Sequence, residues 1–203
     1  MKTTKYIAAA AIGLAAASES QALIVTSVAG SGNFTNATSL LTNGSFALGS
    51  DWNSAQTVNW LGQTGLGGVV LTFGFDKLYR ISDLALGVDR SGFYGVQTSI
   101  NGSLWHTLFV SLPTSIDTSF AASGHTMIEK SSAPGSAAYS SLIDFAPTLA
   151  RYARIYAVAG EGHYAVSELR FSGTAAPVPE PASGWLLLAG LTTVAFVGSR
   201  RRS

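Results

Sequence analysis

Between Leu23 and Gly173 the chain never sustains an apolar repeat of 3.6 residues. Its hydrophobic residues come in short runs cut off by glycine, asparagine, serine and proline. Without an amphipathic stripe a helical bundle has nothing to bury, so the expected fold class is all-β, an antiparallel β-sandwich of eight or so short strands. Cysteine is absent, which excludes a disulfide framework, a thiolate nucleophile and a Cys-ligated zinc. Packing must hold the domain together.

The expected strands are Leu23 to Val28, Val69 to Phe75, Tyr79 to Val88, Tyr94 to Ile100, Trp105 to Leu112, Thr126 to Glu129, Ser141 to Phe145, Arg151 to Ala159 and Val166 to Ser172. Tyr94, Val96, Thr98 and Ile100 fall on one side of their strand and Gly95, Gln97 and Ser99 on the other, the period of two of a half-buried strand. Asn101-Gly102 predicts a type I′ hairpin, which needs positive φ at both residues, and Asp76-Lys77 is read as a turn between two strands. Gly62, Gly65, Gly67 and Gly68 crowd one approach to a strand, but no helix and no Lys-Ser or Lys-Thr pair follows, so they read as a connection and not a phosphate loop.

Both ends have a different character. Lys2 and Lys5 precede an apolar run from Tyr6 to Ala17, then Ser20-Gln21-Ala22 with small residues at its first and third positions, the pattern of a signal peptide, residues 1–22, cut after Ala22. At the other end Val178-Pro179-Glu180-Pro181 is held extended by its prolines. Residues 182–199 carry no charge; as a helix of about 27 Å they form a transmembrane span that just reaches across a hydrocarbon core. Arg200, Arg201 and Arg202 then favour the cytoplasmic side. The organisation expected is a leader over 1–22, one domain over 23–173, and a terminal segment over 174–203, itself divided into 174–181, 182–199 and 200–203.

That terminal order of Pro179-Glu180-Pro181, apolar span and arginine cluster resembles the PEP-CTERM sorting signal. The resemblance implies that exosortase recognises and cuts the chain near the Pro-Glu-Pro, so the protein is expected first as a membrane-anchored precursor and then at the cell surface or outside the cell.

A second resemblance covers the body. Tyr94-Gly95-Val96-Gln97-Thr98-Ser99-Ile100-Asn101-Gly102-Ser103-Leu104-Trp105, Ala150-Arg151-Tyr152-Ala153-Arg154-Ile155 and Val166-Ser167-Glu168-Leu169-Arg170-Phe171-Ser172-Gly173 are similar to segments of the coagulation factor 5/8 type C, or discoidin-like, domains. The fold this implies is a galactose-binding-like jelly roll. Several members of that fold hold Ca2+, and the matching positions are Asn43, where aspartate is expected, and Glu168. On the alternative reading Asn43 makes a turn and Glu168 pairs with Arg170 or Arg154. Carbohydrate-binding relatives use loops at one end of the sandwich, where an aromatic face packs on a sugar and Arg, His or Asn meets its hydroxyls. Here that implies Arg90 and Phe93, His163 and Tyr164, with Trp52 and Trp60 as further platforms; the alternative is aromatic packing over the open end.

Charge and motif narrow the function. Between Leu23 and Ala176 seven Lys or Arg face nine Asp or Glu, a net of about −2, so no basic footprint for nucleic acid exists. His106, His125 and His163 are far apart in sequence with no second ligand at metal spacing. No Gly-x-Ser-x-Gly or His-Glu-x-x-His occurs, so the chain is not expected to be an enzyme. The function expected is binding of carbohydrate or exopolysaccharide; the alternatives are a structural matrix component without a ligand site and a polysaccharide hydrolase.

Overall fold

Val70–Asp89 forms one long strand, β4, on which the rest of the chain is arranged. The computed structural model describes residues 20–111 and 125–177. Besides β4 these form β1 (Gln21–Ala22), β2 (Val25–Ser31), β3 (Val58–Leu61), β5 (Gly92–Ser99), β6 (His106–Val110), β7 (Met127–Ser131), β8 (Thr148–Gly160) and β9 (His163–Ala175), with 3-10 turns at Thr38–Thr42 and Ser141–Ile143.

Every strand pairing is antiparallel. The first half of β4 lies between β2 and β8, with Leu71 opposite both Gly30 and Ile155, and that layer continues through β5 to β6. The second half lies between β7 and β9, with Leu86 opposite both Lys130 and Leu169. On its other side β9 carries β3 at its beginning and β1 near its end. The two layers thus share β4 and close over one core, giving an antiparallel β-sandwich.

Alternation within the strands fills that core. Leu71, Phe73 and Phe75 of β4 point inward with Ala153, Ile155 and Ala157 of β8 and Leu169 and Phe171 of β9. Phe171 meets Phe75 and Phe73 across the layers, ring centroids 5.2 and 6.0 Å apart. Each such side chain removed from water contributes roughly 1.5–3 kcal/mol.

The structure departs from the sequence reading in several places. Asp76-Lys77 is no turn: no residue there has positive φ, both side chains are exposed, and the strand runs on through an irregularity where it changes partner. Tyr79 Oη donates to Asp76 Oδ1 at 2.7 Å, closing that bend. Asn101-Gly102 does join β5 to β6, but only Gly102 has positive φ, 75°. Asn101 Oδ1 instead accepts from the amides of Ser103 and Leu104, both at 2.9 Å, which widens the connection beyond two residues. The expected strand at Ser141 to Phe145 is a 3-10 turn anchored by the buried Ile143. β3 was not expected, because its four residues sit in polar surroundings.

The sheet reaches from Gln21 to Ala175, past both expected domain edges. The leader to residue 19 and the terminal residues Pro179, Glu180, Pro181, 182–199, Arg200, Arg201 and Arg202 lie outside the described residues. Among the described residues no helix is long and apolar enough to cross a membrane.

Candidate functional site

Where β3 meets the start of β9, Trp60 stands opposite Tyr164 and Leu61 opposite His163. Trp60 and Tyr164 are each 2 % exposed and pack in the core with ring centroids 5.8 Å apart. Side chains alternate along a strand, so Leu61 and His163 face the other way. Leu61 is 60 % exposed and His163 half-buried.

Three further segments converge on that outer face. Trp52 donates its backbone amide to His125 O at 2.7 Å, Asp51 bridges to Thr126, and the Arg90 amide donates to Thr126 O at 3.0 Å. The Trp52 indole and the His163 ring meet edge to face with centroids 4.8 Å apart, and the His125 ring lies 4.6 Å from that of His163. Trp52, Arg90, His125 and His163, from four separate stretches of chain, thus gather at one end of the sandwich.

Three of these four side chains each leave one polar atom unsatisfied. Among the described residues four buried side-chain nitrogen or oxygen atoms lack a hydrogen-bond partner, and three of them are Arg90 Nε, His125 Nδ1 and His163 Nδ1. A buried polar group left unpaired costs about 1–3 kcal/mol, so native proteins seldom keep several together without a partner to come. An aromatic ring beside two imidazole nitrogens that lack partners is suited to the apolar face and the hydroxyls or carboxylates of a sugar.

Asp89 supports this end from beneath. Its carboxylate is fully buried and accepts from Tyr94 Oη, from the Ala165 amide at 2.9 Å and from Ser91 Oγ at 3.1 Å. Burial pushes its pKa above the usual carboxylate range, against the pull of these donors. Tyr94 is raised well above its ordinary value, first by burial and then by the Asp89 charge. Gly92 leaves room for the arrangement, since a Cβ there would fall 2.7 Å from Asp89 Oδ1. The turn that carries Arg90 is therefore pinned to the strand that carries His163.

Of the six residues expected to meet a ligand, the fold brings Trp52, Arg90 and His163 together and takes Trp60, Phe93 and Tyr164 inside. Phe93 is 7 % exposed. Their place on the inward side of β3, β5 and β9 makes them the floor of this end and not its platforms. His125 was not among the expected contacts. It approaches His163 only because β7 pairs with the end of β4, a relation no local pattern announces.

Asn43 and Glu168 are also brought together. Glu168 is 2 % exposed, and its Oε2 accepts from the Gly44 amide at 3.1 Å. Its Oε1 accepts from Arg170 Nε at 3.1 Å, and Arg170 Nη2 donates to Gly44 O. Asn43 Oδ1 is turned back to the Ser45 amide at 2.8 Å. Ca2+ requires six to eight oxygens, and here the carboxylate and the carbonyl already hold a guanidinium, so the residues present do not fit the ion. No group of three His, Cys, Asp or Glu that could hold a metal occurs among the described residues.

Residues 177–202 match the family described as the PEP-CTERM protein-sorting motif. No curated protein matches the chain. Among solved structures, a truncated AlyQ with CBM32 and alginate lyase domains superposes with a TM-score of 0.54 at 12 % identity, covering 81 % of this chain and 36 % of that one. The present chain thus spans about a third of that protein's length. A pectin-binding carbohydrate-binding module gives 0.44 at 15 % identity, covering 77 % and 96 %. CBM32-1 from a family 31 glycoside hydrolase of Clostridium perfringens gives 0.44 at 18 %, covering 72 % and 94 %. The body therefore has the galactose-binding-like β-sandwich fold, and the chain ends in a segment similar to a PEP-CTERM sorting motif.

Proposed function

We propose that this chain is an exported protein, processed by exosortase, whose β-sandwich binds carbohydrate at the cell surface or in the extracellular matrix. The observation that carries the reading is the cluster of the Trp52, His163 and His125 rings at one end of the sandwich, with His125 Nδ1 and His163 Nδ1 buried and unpartnered. Similarity of fold to a truncated AlyQ with CBM32 and alginate lyase domains makes carbohydrate the class to test first. Polysaccharide outside the cell is the ligand in this proposal, and the protein acts by holding it, not by cutting it.

The placement of the ends suits that role. β9 starts at His163 in the candidate site and ends at Ala175, two residues before the sorting motif. Twelve steps of about 3.3 Å set the two roughly 40 Å apart. On this reading a precursor held by residues 182–199 presents its ligand face away from the membrane. The leader is cut after Ala22, leaving Leu23, whose nitrogen is bonded to Phe171 O at 2.9 Å, as the first residue.

The test is retention of the full-length chain, in detergent, on an array of neutral and acidic polysaccharides. Binding that is lost in Trp52→Ala supports the proposal. No retention on any glycan favours a structural matrix component, and release of reducing ends favours a hydrolase.

A further inference from the structure

The outer end of Glu168 offers a second chemistry, independent of the carbohydrate reading. A carboxylate only 2 % exposed needs donors and a counter-charge, because burying an isolated charge is costly. Its donors are the Gly44 amide and Arg170 Nε, each at 3.1 Å, and its counter-charge is the Arg170 guanidinium. The same guanidinium donates to Gly44 O and lies over the Phe46 ring, 4.6 Å from its centroid. One planar cation therefore touches a carboxylate of β9, a main-chain carbonyl of the 43–46 loop and an aromatic face of that loop.

A carboxylate and a carbonyl are the oxygen types that a hard divalent cation collects. A guanidinium reaches both at once because its donors are spread in a rigid fork, which the compact point charge of an ammonium does not offer. Gly44 has φ of 86°, a conformation that glycine adopts without strain. The Asn43 side-chain oxygen accepts from the Ser45 amide, within the loop itself. Glu168 and Arg170 border an open cleft of about 300 Å3 with Leu23, Thr42 and Gly44, so ions reach the pair from solvent.

We infer that Arg170 serves as a built-in cation, locking the 43–46 loop onto β9 in the way a bound calcium ion would, and that this domain holds its loop without metal. The lock rests on Glu168 and Arg170 acting as a unit.

The experiment is thermal unfolding of the whole chain in detergent, with calcium chloride and with chelator, for the wild type, Arg170→Met, Glu168→Gln and the double variant. The wild-type curves should superimpose. Arg170→Met should lower the midpoint by about 2–4 °C and should cost much less when Glu168 is already glutamine. Should Arg170→Met fail to fold, Arg170→Lys keeps the charge without the fork and should give an intermediate, calcium-insensitive midpoint. A wild-type midpoint raised by calcium, or an effect of the Arg170 change that is the same with and without Glu168, would overturn the inference.

Discussion

His125, two residues before β7, and His163, the first residue of β9, stand ring to ring with centroids 4.6 Å apart, and neither Nδ1 has a partner. The pair exists because β7 and β9 flank the same half of β4. On the proposed function each imidazole completes its hydrogen bonding only when ligand is present. His163→Ala and His125→Ala are each expected to weaken glycan binding about 5- to 150-fold, the range of a lost hydrogen bond of roughly 1–3 kcal/mol. Their melting curves should stay close to wild type. Titration calorimetry and a thermal melt check this pair of statements.

The two tryptophans should separate cleanly. Trp60 lies in the core against Tyr164 and Tyr94 and bonds Gln63 O through Nε1 at 3.0 Å, so Trp60→Ala is expected to cost about 3–5 kcal/mol of stability. Trp52 is half-buried against His163 and the small cluster of Ala47, Met127 and Ala165, and Trp52→Ala should lose ligand at a smaller cost in stability than Trp60→Ala. Denaturant unfolding beside a binding assay reads both. The reverse pattern would mean that the inner and outer faces of this end have been exchanged.

Asp89 gives a pH signature. Burial raises its folded pKa, while the unfolded group titrates near its ordinary value of about 4. Between the two values the folded chain holds a proton that the unfolded chain has lost, so this contribution is full below the unfolded pKa and is lost as pH rises through the folded one. The wild type should therefore lose stability relative to Asp89→Asn, which does not titrate, as pH is raised from about 4. A difference that is flat with pH would remove the buried carboxylate from the account of this end.

The tail can be tested apart from the body. If exosortase reads Pro179-Glu180-Pro181, Glu180→Ala should leave an uncut precursor in the membrane fraction, visible in its intact mass. An unchanged mature mass would contradict the sorting role.

The sequence made much of the sandwich legible because strand alternation is a local property. Tyr94, Val96 and Thr98 announce a shared face by period alone and each is buried, whereas Ile100, expected on that face, lies past the end of β5 and is exposed. Partner exchange was not legible: β4 reads as two strands because Asp76 and Lys77 are polar, whereas an irregular pairing with exposed side chains accommodates them without a reversal. The candidate site was half legible. Trp52, Arg90 and His163 follow from residue type and loop position, but Trp60 and Tyr164 share that chemistry and lie inside, since one residue of register decides the face. His125 required the long-range pairing of β7.

The most direct measurement is affinity electrophoresis of the full-length protein and its Trp52→Ala and His163→Ala variants through gels containing the polysaccharide retained on the array. The account predicts that the wild type is slowed and that both variants, equally folded, migrate as if the polysaccharide were absent. Equal retardation of all three would place the carbohydrate elsewhere and contradict the assignment of this loop end.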